Sequence, residues 1–290
     1  MQIVMTPFTQ KIYRPISNCV FRSLYTQTVD PKKTNWYDIF DKLKPGILIV
    51  DLNYVNNNLI SVHKDYPSTK IVLFGNGVPE NLVPSVVCVS RSISKVILKN
   101  IQSDDYKVVT VNESADTTLN RNTTKFLPRD ICSMISGQND LTTILPIIAE
   151  SESLNVRFNL ASESQLELPV PYYLGHIDYQ NQFVDFVKSS SSFIDLNNSY
   201  ILDIAAFGGF ALTVQPTSLF PAIESFWTIE TYLKNHKVRK RISKECQSKV
   251  LCSNTGFHET IKIFESLDIP DIVSKLKYEM KDSIQWILES

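Results

Sequence analysis

The sharpest chemistry in the sequence is a pair of acids, Asp195 and Asp203, set eight residues apart around Asn197, Asn198, Ser199 and Tyr200. Ionised carboxylates only accept hydrogen bonds, so two of them facing one crevice suit a ligand rich in hydroxyls, such as a sugar or a ribose. A helix starting between them would leave its first backbone N–H groups unpaired and carry positive charge at that end. Amides for a diphosphate, flanked by acceptors for hydroxyls, outline a nucleotide-sugar site. The competing reading is plainer: one acid ends a strand, and the other is drawn to a helix start by the dipole.

The elements around the pair alternate. Residues 172–174 read as a strand, 181–188 as a helix, 192–196 as a strand, 199–207 as a helix stopped by Gly208 and Gly209, and 210–214 as a strand. That alternation builds a parallel sheet with helical crossovers. In such sheets ligands lie at the carboxyl ends of strands, facing helix starts. Earlier in this half, 130–135 reads as a strand, 136–140 as a loop, 141–150 as a helix and 155–160 as a strand. Ser136 and Gly137 therefore sit where a donor would be bound, and His176 follows a turn from which it can reach a base or a phosphate. An isolated histidine is more often structural.

The first half repeats the rhythm. Strands are predicted at 3–5, 47–51, 70–74, 85–89 and 107–111, with helices from Asn18 to about residue 25 and over 36–43, 56–65 and 93–100. The unbroken apolar run ending in Asp51 marks a strand buried on both faces. Asp51, with Asn53 behind it, is the candidate general base. Gly75, Asn76 and Gly77 form a candidate acceptor-side loop, or a tight turn, which glycine equally suits. Residues 112–124 are polar and read as an interdomain linker. After Pro270, residues 271–288 carry a helical apolar stripe.

The runs Tyr173-Leu-Gly-His-Ile-Asp-Tyr179 and Ile201-Leu-Asp-Ile-Ala-Ala-Phe-Gly-Gly-Phe-Ala-Leu-Thr213, with the acid-x7-acid spacing between them, resemble the donor-binding half of GT-B glycosyltransferases. The pattern is most similar to glycosyltransferase family 4 and the CgeB-like group, which usually carry two glutamates where this chain has Asp195 and Asp203. The stretch 237–251 and Asn254-Thr-Gly-Phe-His258 resemble the late helix and its ending in the same families. The resemblance implies two Rossmann-like domains facing a cleft: 1–115 on the acceptor side, 116–270 binding the donor, and a last helix, 271–290, crossing back to the first domain. It also implies sugar transfer from a nucleotide donor, UDP- or GDP-linked, to a hydroxyl on a glycan, a protein or a modified base, with no other cofactor. One departure bears on activity. Relatives place Arg or Lys in the loop corresponding to 136–140 to neutralise the leaving diphosphate, and this loop has neither; Arg121 and Arg129 are the nearest replacements. A GT-B-shaped protein that binds or scaffolds without catalysis is thus the alternative, and an epimerase of the same shape a third.

Composition bounds the rest. The chain has 290 residues, with 29 basic against 30 acidic, so no global charge draws it to nucleic acid or anionic lipid. Lys234, Lys237, Arg239, Lys240, Arg241 and Lys244 make a local basic run, either a track for a polyanion or a solvated face. The five cysteines lack CxxC spacing, and His236 and His258 lack partners at ligand spacing, so neither a disulfide framework nor a metal is expected. No apolar run is long enough to cross a membrane and no signal peptide is visible, which points to a cytoplasmic protein.

Overall fold

The computed structural model describes residues 1–120, 125–153, 155–166 and 172–289, the side chains of 138, 152 and 153 excepted. The chain begins β1 (Ile3–Met5), α1 (Arg14–Leu24), β2 (Gln27–Thr28), α2 (Trp36–Leu43), β3 (Ile47–Asp51), α3 (Asn57–Asp65), β4 (Lys70–Phe74), β5 (Val86–Ser90), α4 (Lys95–Ile101) and β6 (Lys107–Val111). These strands form one parallel sheet in the order β2-β1-β3-β4-β5-β6. From β1 the chain goes one way to β2 and the other way to β3 and beyond, so the winding reverses between β1 and β3.

Period-two alternation explains why both faces are covered. Ile47, Ile49, Val72 and Phe74 join a core with Ile16, Cys19 and Val20 of α1, while Leu48, Val50, Ile71 and Leu73 join another with Trp36, Phe40, Leu59 and Val62 of α2 and α3. Strands apolar on both sides must be buried on both sides, as the unbroken runs predict. Asparagine starts both helices of the second layer: Asn35 accepts from Tyr37 N at 3.1 Å and Asn56 from Leu59 N at 3.0 Å. Each cap satisfies an amide that a helix start leaves orphaned.

The chain continues with β7 (Arg129–Ile135), α5 (Gln138–Ser153), β8 (Phe158–Ser162), β9 (Tyr173–His176), α6 (Tyr179–Lys188), β10 (Ser190–Asp195), α7 (Ile201–Ala206), β11 (Ala211–Thr213), α8 (Phe226–Lys234) and α9 (His236–Ser253). The second sheet is also parallel, in the order β11-β10-β7-β8-β9. Its winding reverses between β7 and β10. Two helices finish the chain, α10 (Gly256–Ser266) and α11 (Pro270–Glu289).

Two compact units result: Met1–Thr118 with Asn254–Ser290, and Leu119–Ser253. Two expectations change. The helix α10, placed by sequence in the donor-side domain, belongs to the first unit, because Phe257, Ile261 and Phe264 bury against the α1 side of the first sheet. Residues 112–118, read as linker, are held inside that unit. Asp116, fully buried, accepts from Asn18 Nδ2 at 2.6 Å and Thr118 Oγ1 at 2.6 Å; Ala115 N donates to Asn254 O at 2.7 Å; Ser283 Oγ of α11 donates to Thr117 O at 2.8 Å. Polar residues are tolerated in a core once paired, so polarity alone misled here. Residues 121–124 of the same run lie outside the described residues, and no described helix is long and apolar enough to cross a membrane.

Candidate functional site

A parallel sheet leaves a crevice beyond the carboxyl ends of its strands where the winding reverses, because the two flanking loops diverge there. In the second unit this place lies between β7 and β10. From β7 the chain runs through Ser136 and Gly137 into α5; from β10 it runs through Asp195 and Asn197–Tyr200 into α7. These loops hold most of the donor-side residues singled out by sequence, and the fold brings them together.

One acid the sequence reading did not single out joins them. Asp140, buried in the first turn of α5, accepts from Ser136 N at 2.7 Å and Ser136 Oγ at 2.6 Å through one oxygen, and from Asn197 Nδ2 at 2.7 Å through the other. A serine just before a helix with an acid in its first turn is a helix-start signature, and that was the available signal. Gly137 lies at the mouth of the loop, and a Cβ placed there meets nothing within 4 Å. Backbone at this point is open to close approach by a ligand, at the amino end of a 16-residue helix whose dipole places about half a positive charge there.

The expected diphosphate seat on α7 is not present. Asp195 turns back on its own loop, accepting from Ser199 N at 3.2 Å and Tyr200 N at 2.8 Å, so a carboxylate already occupies the amides assigned to phosphate. A helix of six residues also offers only a small dipole. Asp195 is 2% exposed; burial pushes its carboxyl above the usual carboxylate range, and the amides of Tyr200, Ser199, Asn197 and Asn198 pull it partly back. Asn198 supplies the turn by adopting φ +57°, a conformation asparagine tolerates. Its Oδ1 is a buried acceptor with no hydrogen-bond partner among the described residues. Such orphans are uncommon, and a donor brought to this loop would satisfy it.

Asp203 lies in the first turn of α7, one turn earlier than expected, and is 6% exposed. It accepts from the Tyr179 hydroxyl at 2.5 Å, beside the ring cluster of Tyr179, Phe183, Phe193 and Tyr200. His176 is not brought in: it ends the exposed edge strand β9, three strands from β10, roughly 14 Å at ordinary strand spacing. Arg129 cannot serve the missing cation. It opens β7, at the amino end of a seven-residue strand, some ~20 Å from the loop at the other end. Arg121 lies outside the described residues.

In the first unit the corresponding reversal, between β1 and β3, is filled from within. Asp51 is 2% exposed and has four donors: Thr9 N, Thr9 Oγ1, Asn53 N and Asn53 Nδ2, each at 2.9 Å. Both oxygens of this buried carboxylate are already bonded within the unit, which leaves them no open face toward a substrate hydroxyl, so its role is to hold the turn after β3 and the loop after β1. This corrects its assignment as general base. The glycine loop is likewise a packing feature: Gly75 has φ +151°, and a Cβ there would lie 2.6 Å from Leu52 Cβ. Asn53 and Asn76 remain exposed on that edge, with Gly77 half-buried between them and Val78.

No family model matches the chain, and a search of curated proteins finds no match. Solved structures do match over nearly the whole length. The UDP-N-acetylglucosamine 2-epimerase of Methanocaldococcus jannaschii aligns with a TM-score of 0.52 at 10% identity, covering 92% of this chain and 99% of that one. A Listeria monocytogenes protein described as an enzyme of the same kind aligns at 0.51 and 10% identity, covering 90% and 94%. The spinosyn forosaminyltransferase SpnP aligns at 0.48 and 9% identity, covering 92% and 99%. At this identity the likeness is one of fold: two Rossmann-like units of the GT-B type, the last helix returning to the first unit.

Proposed function

We propose that this chain is a GT-B glycosyltransferase that takes a nucleotide sugar, UDP- or GDP-linked, at the β7–β10 edge of its second unit and passes the sugar to a hydroxyl acceptor without a metal, in the cytoplasm. The observation that supports it most is the open backbone at Gly137, set at the start of α5 where the winding of the sheet reverses. The diphosphate is assigned to that helix start rather than to α7. Ser136, Asn197, Asn198 and Asp203 are assigned to the donor's hydroxyls and base, and Asp195 to holding the loop that presents them. The acceptor role of Asn53, Asn76 and Gly77, and the grouping with family 4 and CgeB-like enzymes, belong to the same reading.

A second reading has its own observation. The 136–140 loop has no cation, and Asp140 brings a negative charge to the place a diphosphate would occupy. Half a charge from a helix start offsets a full one only in part. Binding without transfer, by a scaffold of the same shape, follows if that imbalance dominates when the leaving group departs. The test is release of nucleoside diphosphate from UDP- and GDP-sugars on adding glycan or protein acceptors. Acceptor-dependent release supports transfer; donor binding with no release under any acceptor supports the scaffold. Interconversion of the free nucleotide sugar would instead mark an epimerase.

A further inference from the structure

The first unit holds a cavity of about 360 Å³ walled by Lys32, Lys33, Asn35, Trp36 and Asn56 among others. Two helices begin at it, since Asn35 caps α2 and Asn56 caps α3. Each helix start carries about half a positive charge and backbone N–H groups that the helix leaves unpaired. Each cap spends its Oδ1 on one such amide, Asn35 on Tyr37 N and Asn56 on Leu59 N. Their two Nδ2 groups are left as donors with no partner among the described residues. The lysines come from the turn before α2, which Asp30 fixes. Its carbonyl accepts from Lys33 N at 2.9 Å and Thr34 N at 3.1 Å, and its Oδ1 from Lys32 N at 3.0 Å. Asp30 Oδ2 reaches Lys33 Nζ only at 3.8 Å, and that lysine side chain is 84% exposed. Lys32 Nζ lies over the Tyr54 ring, 5.6 Å from its centre, and pairs with no acid among the described residues. Trp36 is 1% exposed, and its indole Nε1 is a buried donor without a hydrogen-bond partner among the described residues. No acid is among the residues that wall the cavity.

We infer that this cavity binds a small phosphate ester, its phosphate held by Lys32, Lys33 and the Nδ2 groups of Asn35 and Asn56 at the two helix starts. The lining selects the charge. Ammonium and amide NH₂ groups only donate, and two helix starts add positive potential, so the complement is an anion rich in acceptors. The donors arrive from three segments of chain: the turn before α2, the start of α2 and the start of α3. That suits a tetrahedral group with three free oxygens better than a planar carboxylate, which arginine grips in its own plane and lysine meets only as a point charge. Size selects the rest. Ligand pockets run from roughly 300 to 1,000 Å³, so this one is small and leaves room beside the phosphate for a body about as large as a monosaccharide. Capping explains the two Oδ1 atoms, but it does not call for two lysines and an orphan indole donor at the same place. The inference does not rest on glycosyl transfer, and these residues lie in the other unit from Gly137.

The test is isothermal titration of the full chain carrying Gly137→Val, which blocks the candidate site of the second unit, with inorganic phosphate, glucose 6-phosphate and glucose. One site is expected for glucose 6-phosphate, at least as tight as for phosphate and weakening as salt rises, with no binding of glucose. Adding K32Q/K33Q should weaken it roughly a hundredfold, about tenfold for each charged hydrogen bond lost. Adding N35D/N56D is the sharper change. Asp caps a helix as well as Asn does, so the chain should melt no lower, yet binding should vanish because two donors become two negative charges. Melting curves of every variant establish that the fold is kept. Absence of binding by the folded Gly137→Val chain, glucose binding as tightly as its phosphate, or affinity unchanged by K32Q/K33Q or by N35D/N56D would overturn the inference. None of these results bears on whether a nucleotide sugar binds the wild type at Gly137.

Discussion

Asn197 donates its side-chain amide to Asp140 at 2.7 Å, joining the loop after β10 to the first turn of α5 across the point where the second sheet reverses. With Ser136 on the other oxygen of Asp140, this bond fixes the spacing of the two loops that a ligand at this edge would meet. Asn197 is exposed and Asp140 buried, so removing the asparagine leaves the acid with its serine partners. A double-mutant cycle of Asn197→Ala and Asp140→Ala, read by urea denaturation, should return a coupling of about 1 kcal/mol. Additive effects would mean that the two loops are positioned independently.

Asp51 offers a sharper contrast between chemistry and architecture. Its four donors come from Thr9 and Asn53, and Asp51→Ala leaves several of them unpaired. The expected cost is roughly 1–2 kcal/mol of stability, since Thr9 and Asn53 are exposed and water can reach their freed donors. Thr9→Val should fall in the same direction by a smaller amount. A variant at Asp51 that abolished transfer while melting like the wild type would restore it as the base.

Stability should also depend on the charge of Asp195. Burial raises its folded pKa above the unfolded value, so the folded state holds the proton more tightly. Its contribution is therefore complete below the unfolded pKa, about 3.9 for Asp, and is lost as pH rises through the folded value. Asp195→Asn lacks this loss. Melting curves from about pH 4 to 7 should show the variant gaining on the wild type as pH increases, whatever the offset between them at the acid end. A constant difference, or one moving the other way, would show that the loop amides outweigh burial.

Much of the scaffold was legible because it follows from unbroken apolar runs. Residues 47–51 and 70–74 are strands as read, since such runs bury on both faces whatever else the chain does; 107–111 is also a strand as read, though only Val111 in it is buried. The paired loops of the second unit were legible for a related reason, as strand ends at a reversal define where they meet. What a side chain does at such an end was not. Asp51 finds Thr9 42 residues away, and Asp195 finds amides four and five residues on; the same residue type ending the same kind of strand serves two different turns. The buried polar run at 114–117 was missed because its partners, Asn18, Asn254 and Ser283, are scattered over the whole chain. Spacing reports local geometry, and these bonds are long-range.

The account stands on a nucleoside diphosphate resting against Gly137 at the start of α5. Isothermal titration of the full chain with UDP and GDP, free and sugar-linked, measures this directly, with Gly137→Val as the blocking variant because its side chain enters open space rather than the core. The prediction is one saturable site for at least one of these ligands, lost in Gly137→Val while the variant melts as the wild type does. No binding of any of them by the folded chain, or binding that Gly137→Val leaves unchanged, would contradict it.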